Sequence, residues 1–367
     1  MKKNHLIGMA IVLLTIGCTE NKPMEPIALY VGTYTDSGSE GIYRYAFDPQ
    51  TGSLAEKTLA ANLPNPSFLK ISNDHNFLYA VQETDKYDSL EGGVSAFKIN
   101  NQDLQVLNTQ GSGGENPCHI GISKDGKMLA VSNYTGGNLA VFQLKDDGSL
   151  SQYKQLIDHK ILDSTKTSHV HSAEFTSDGL FAADLGLDAV KRYRQTEAGF
   201  VEASQPSLDL SEGAGPRHFA FGQEGKFLYV INELNSTITV FKRNSDATYA
   251  PIITHSTVAA DFKGESFCAD IHLSPDGMFL YGSNRGENTI VVFAVNQKTG
   301  DLAVVERAPV KGDWPRNFTV DPSGKFLLVA NQRSNNITVF ARDEEKGTLT
   351  FLHETALSSP VCLEFAR

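Results

Sequence analysis

Cysteine, tryptophan and positive charge are all scarce in this chain. Its 367 residues include 4 Cys and 1 Trp. The cysteines (Cys18, Cys118, Cys268 and Cys362) form no CxxC pair, which excludes a zinc-ribbon or thioredoxin-type motif. Lys and Arg number 32 against 43 Asp and Glu, a formal net charge of −11. Such a surface argues against nucleic acid as partner and against docking on anionic lipid by charge alone. GxSxG, HExxH and GxxxxGK[ST] are missing, so a nucleophile elbow, a zincin site and a P-loop are unsupported. The apolar run at the N-terminus, Leu6–Gly17, is 12 residues, too short to span a bilayer. Otherwise the composition is ordinary, with 40% hydrophobic and 20% charged residues, which excludes wholesale disorder, collagen and coiled coil.

That short run is informative for a different reason. Lys2 and Lys3 precede it and small residues follow it, the pattern of a cleavable export signal over residues 1–17. Thr15-Ile16-Gly17-Cys18 resembles a bacterial lipobox, with Thr15 where Leu is commoner. The expectation is therefore lipid attachment at Cys18, a polar tether over residues 18–27, and residence in the cell envelope, at the periplasm or outer membrane. With Cys18 lipidated, an odd number of cysteines remains, which is not a disulfide framework.

Internal repetition is the strongest signal. PSFLKISNDHNFLYAVQE (66–83), PCHIGISKDGKMLAVSNY (117–134), PRHFAFGQEGKFLYVINE (216–233), CADIHLSPDGMFLYGSNR (268–285) and PRNFTVDPSGKFLLVANQ (315–332) align as copies of one unit. A shorter copy starts at 170 and is degenerate near Gly179, and a truncated one starts at 360. Each unit is an apolar run, a Ser/Asp/Gly turn and a second apolar run, the pattern of a β-hairpin. Third runs such as STITVFKR and NTIVVFAV follow, then a fourth after another turn. Four short strands per unit is the mark of a propeller blade. The C-terminal copy holds only a first strand, whereas ALYVGTY (28–34) and GIYRYAFD (41–48) match a second and a third. The chain is thus predicted to be all-β: one seven-bladed β-propeller over residues 28–367. Its last blade is closed by the N-terminal strands together with the C-terminal strand. Closure removes free edges and lets a monomer stand alone.

The hairpin geometry brings two sets of residues to one mouth. The first set follows the opening residue of each unit: Ser67, Cys118, His171, Arg217, Ala269, Arg316 and Val361. The second lies at the ends of second strands and includes Glu83, Asn133, Tyr134, Glu233, Arg285, Asn331 and Tyr34. A polar ring at a concave mouth is a default binding site. Asn recurs from blade to blade, which suits the satisfaction of turn backbone groups. His171, Arg217, Glu233 and Arg285 break the pattern followed by most blades, and a purely structural repeat needs no such asymmetry. The plain alternative for them is a salt-bridge belt across the channel. Arg316, Asn133, Glu83 and Asn331 are assigned to substrate binding around that quartet.

GPRHFAF (215–221), NELNSTITVF (232–241), HSAEF (171–175), ADIHLSPDG (269–277) and residues 315–332 resemble the seven-bladed lactonase family. It comprises propeller-type 6-phosphogluconolactonases and carboxy-muconate cyclases. The resemblance covers roughly residues 28–367. It implies that His171, Arg217, Glu233 and Arg285 are the catalytic residues. It also implies a metal-free, cofactor-free opening of a small sugar lactone, 6-phosphogluconolactone, to the aldonic acid. The export signal is unusual for an enzyme of cytoplasmic sugar-phosphate metabolism and raises an unphosphorylated aldonolactone as substrate.

The residue types suit that chemistry. A carboxylate or imidazole can take the proton of an attacking water, and Arg can stabilise an oxyanion or hold an anion bidentately. His171 and Glu233 are base and acid in an order left open. Two other classes remain: a non-catalytic envelope propeller that binds a protein or glycan, and a muconate-type lactonising cyclase on the same residues. A metal-dependent lactonase would need an acidic cage, which the Arg residues oppose. His169 and His171, two apart on one strand, are more simply strand or turn residues than a metal pair. His119, His218 and His272 are expected to pack between blades, and Trp314 to pack against a turn.

Overall fold

The structure, a computed structural model, describes residues 25–85 and 92–366. The expected export signal and Cys18 lie outside the described residues. Among the described residues every regular element is a strand, and the strands form seven four-stranded antiparallel sheets. Six blades are consecutive in the chain. Blade one covers residues 69–111, blade two 117–158, blade three 170–209, blade four 216–256, blade five 267–309 and blade six 315–356. The seventh orders its strands as Pro360–Ala366, Ile27–Thr33, Gly41–Phe47 and Leu54–Asn62. Ala28 to Thr33 pair antiparallel with Ala366 to Pro360, so the two ends of the chain close the ring.

Burial follows from the strand period. Second strands such as Phe227–Asn232 and Phe326–Asn331 are buried along their whole length because blades cover both of their faces. Fourth strands such as Tyr249–Ser256 are exposed nearly throughout and form the rim. The core is divided into seven apolar clusters, each built from two neighbouring blades. Buried tyrosines on second strands tie one blade to the next. Tyr79 donates to the Gly148 carbonyl at 3.0 Å and Tyr281 to that of Gly347 at 3.0 Å. Such a partner offsets the burial of the hydroxyl; Tyr229, the counterpart in blade four, has none among the described residues.

First strands line the axis, and their irregularity positions the site. Pairing with the second strand slips one residue after Pro117, Val170, Pro216 and Pro315. Each slip is a bulge that turns two successive side chains toward the channel. Cys118 and His119, His171 and Ser172, and Arg217 and His218 therefore form two stacked layers.

Ring closure depends on packing across the last blade. Leu363 is 2% exposed and packs with Leu29, Val31 and Leu328. Leu363→Ala is expected to lower the unfolding free energy by about 3 kcal/mol, read from urea denaturation. A loss under about 1 kcal/mol would show that closure does not rest on this contact.

Candidate active site

The mouth is organised by Glu233. It follows the second strand of blade four, held by its own N–H to the Gly215 carbonyl at 2.7 Å. Its Oε2 lies 3.0 Å from Arg217 Nε and 2.9 Å from Arg285 Nη2. Arg217 comes from the first strand of blade four and Arg285 from the end of the second strand of blade five. The Arg217 contact is ionic rather than an aligned hydrogen bond, since Nε has no well-aligned acceptor. Arg217 Nη1 donates to the Ala269 carbonyl, and Arg285 donates to the carbonyls of Phe267 (3.2 Å) and Cys268 (3.0 Å). Both guanidiniums are thus held from behind by the backbone of blade five.

A second ionic pair stands across the mouth. Arg316 Nη2 is 3.9 Å from Glu83, which also accepts the Tyr34 hydroxyl at 2.9 Å. Arg316 lies against the Tyr34 ring, 5.1 Å from its centre. Three guanidiniums (Arg217, Arg285 and Arg316) therefore face two carboxylates (Glu83 and Glu233). The belt expected as the plain alternative is present, but it leaves one positive charge uncompensated.

Charge states follow from the surroundings. Burial works to raise the Glu233 carboxyl, yet Arg285, Arg217 and Arg316 outweigh it and hold it below its usual value. Burial lowers Arg285 to about 10. His171 is buried, and desolvation together with Arg217, His218 and Arg316 keeps it well below 6.5. At neutral pH it is an uncharged imidazole. Its Nδ1 is 3.8 Å from Cys118 Sγ, and its ring meets those of Tyr134 and His218 at 5.5 and 5.4 Å. Burial raises the Cys118 thiol, which excludes it as a ready thiolate.

Two expectations for substrate contact are corrected. Asn133 and Asn331 are fully buried and brace their own blades. Asn133 Nδ2 donates to the Ser112 carbonyl and to Asn138 Oδ1, and Asn331 Nδ2 to Thr338 Oγ1. The preceding loops press on these side chains so closely that a Cβ on Gly312 would sit 2.4 Å from Asn331 Cγ. Neither amide has room to reach a substrate. His169 also stays structural, stacked on Tyr134 at 4.4 Å. Among the described residues, no group of three or more His, Cys, Asp or Glu is arranged to hold a metal.

The histidines expected between blades line the channel instead. His218 Nδ1 is 2.8 Å from Asp270 Oδ1, and His272 Nε2 is 2.9 Å from Asp270 Oδ2, which also accepts Asn317 Nδ2 at 2.6 Å. Burial and Arg217 lower His218 to about 4, so its single proton faces Asp270 and its Nε2 faces Arg217 Nη1 at 3.5 Å. Asp270 thereby supports Arg217 from beneath. It went unrecognised in the sequence because a bulge, invisible in a single strand, brings consecutive residues to one wall. Farther down, a cavity of about 290 Å³ is lined by Lys70, His119, Glu174, His272 and Glu364.

Residues 28–365 match the family model described as a seven-bladed β-propeller lactonase. The chain belongs to that lactonase family. It is 36% identical to the 6-phosphogluconolactonase of Bacillus subtilis over 92% of this chain and 97% of that one. It is 38% identical to the 6-phosphogluconolactonase of Formosa agariphila over 80% of this chain and 86% of that one. Among solved structures, the periplasmic gluconolactonase of Pseudomonas aeruginosa superposes with a TM-score of 0.87 at 35% identity, covering 93% of this chain and 99% of that one. In this lactonase-family chain, the four unlike residues singled out by the repeat come together at one end of the axis.

Asp270 offers a test of the layer below. Burial works to raise its carboxyl, but His272 and His218 hold it well below its ordinary 3.8. Its stabilisation is complete above that pH and is lost as pH falls through the lower folded value. Asp270→Asn is expected to cost about 3 kcal/mol at pH 5, where His272, raised despite burial by Asp270, is also charged, with the gap to wild type narrowing only below pH 3.8. Denaturant titrations at pH 5 and pH 3 check this, and a gap independent of pH would contradict it.

Proposed function

We propose that the protein hydrolyses a sugar lactone to the aldonic acid, with 6-phosphogluconolactone as substrate, by attack of water and without metal. The observation that carries this reading is the mouth itself. A neutral, buried imidazole stands near two guanidiniums, Arg217 and Arg316, in a mouth where three guanidiniums face two carboxylates. Family membership and the lactonase relatives support the same reading.

The residues divide the work by charge. Lactone opening needs a deprotonated water, a polarised carbonyl and a proton for the leaving alkoxide. Glu233 is held ionised and its Oε2 is engaged by two arginines. His171 is uncharged and free to accept the proton of water through its imidazole. The water oxygen bonds to the lactone carbonyl carbon, and negative charge collects on the carbonyl oxygen. Arg217 and Arg285 face that charge, and the excess guanidinium favours the transition state over the neutral lactone. When the tetrahedral intermediate collapses, the bond to the ring oxygen breaks and the imidazolium returns its proton to the alkoxide. The oxyanion also screens Arg217 and Arg316, two of the groups that depress His171. The base therefore strengthens as charge develops.

Glu233 positions the arginines in this scheme. Without its carboxylate, Arg217 and Arg285 would repel one another. Arg316, braced by Tyr34 and Glu83, extends the anion-binding surface. The envelope address belongs to the same proposal. Lipid attachment at Cys18 would tether the propeller, and Cys18→Ser is expected to move the protein from the membrane to the soluble fraction.

The deciding assay is hydrolysis of freshly prepared 6-phosphogluconolactone and of gluconolactone, corrected for spontaneous opening and repeated with chelator. His171→Ala and Glu233→Gln are each expected to lower kcat by about 10²- to 10³-fold. Because His171 is held down, kcat/KM should be level through neutral pH and fall only well below pH 6.5. No hydrolysis above background would remove the enzymatic reading and favour an envelope-binding propeller.

A further inference from the structure

Trp314 breaks a rule that its counterparts in four other blades obey. It precedes the opening Pro of blade six with φ of 66°, in the left-handed region. The same position holds Asn65 (42°), Asn116 (51°), Gly215 (64°) and Ser359 (45°). Asn and Gly are the residues that tolerate this conformation, and Ser at least is small. A bulky aromatic does so only under strain. The fold's own solution at this position is small or polar, so the indole at 314 is not there for the turn. Its strained backbone is held by the Asn288 side chain, whose Oδ1 accepts the Trp314 N–H at 3.0 Å.

The residue facing it differs in the same way. In blade four, Leu234 lies against Gly215, and its N–H donates to the Ala214 carbonyl. In blade six the matching residue is Arg333, whose N–H donates to the Asp313 carbonyl. The Arg333 guanidinium carbon sits 3.3 Å from the centre of the Trp314 ring. Arg285, which holds Glu233, lies against the same indole at 5.2 Å. Arg333 is exposed, and among the described residues no carboxylate is paired with it. The nearby Asp313 carboxylate accepts from Asn288 instead, at 2.8 Å. Stacking on an indole fixes a guanidinium in place while leaving its N–H edge open to an anion.

We propose that Trp314 and Arg333 form a distal anion subsite for the phosphate of a phosphorylated lactone. The one indole contacts both this cation and Arg285, which faces the reacting carbonyl in the scheme above. In a phosphorylated hexonolactone the terminal phosphate lies one sugar ring away from the carbonyl carbon, so a single molecule presents both an anion and a carbonyl to the two guanidiniums. One residue of the repeat thus accepts backbone strain to hold a second cation beside the mouth.

The inference rests on the lactonase reading for its catalytic test but not for its binding test. The full-length protein, Arg333→Gln and Trp314→Asn would be titrated calorimetrically with 6-phosphogluconate and with gluconate. Each variant should weaken the phosphorylated ligand at least tenfold and reduce its preference over gluconate. Trp314→Asn, which restores the residue type found at 65 and 116, should at the same time raise Tm. In the hydrolysis assay, the ratio of kcat/KM for phosphorylated over unphosphorylated lactone should fall at least tenfold in Arg333→Gln, through KM. Equal losses for both ligands, or an unaltered preference, would overturn the subsite. If wild type opens no lactone yet binds 6-phosphogluconate through Arg333, the subsite stands and the lactonase reading falls.

Discussion

The pairing of residues 28–33 with residues 360–366 is the constraint on which the rest depends. A row of four-stranded sheets has two free edges and one unfinished apolar face at each end. Closing the row buries both, and it sets seven first strands around one axis. The mouth is a consequence of that circle. Side chains from all seven blades, from Tyr34 and Glu83 to Arg316, meet there although they lie far apart in sequence.

Within the circle, the bulges at the starts of first strands do the positioning. A regular strand would send alternate residues away from the channel. The slip after Pro216 lets Arg217 face the mouth while His218 faces the layer beneath. Arg217 is then held by the Glu233 carboxylate, a backbone carbonyl and the His218 imidazole at once. Such support matters because a buried guanidinium without partners would be costly. A positively biased mouth is stable only because each arginine is braced before any substrate arrives.

Two kinds of polar residue follow from the repeat. The recurring ones, such as Asn133, Asn232, Asn284 and Asn331, serve every blade alike and brace the turn between second and third strands. The singular ones, His171, Glu233, Arg285, Trp314 and Arg333, serve no blade as such and gather at one mouth. Departure from the repeat is therefore a better guide to chemistry here than polarity, and Trp314 extends that logic to the backbone.

The sequence by itself determined the blade count, the closure by both termini and the quartet at the mouth. Those features are written in the period of the repeat and in local breaks from it, both of which are properties of short segments. Only the tertiary structure decided that Asn133 and Asn331 are spent inside their blades, and that His218 and Asp270 stand beneath Arg217. It also decided that Arg333 lies on Trp314. Such facts depend on bulges and on the approach of neighbouring blades. A side chain's direction there is set by residues 20 to 50 positions away, which no local pattern records.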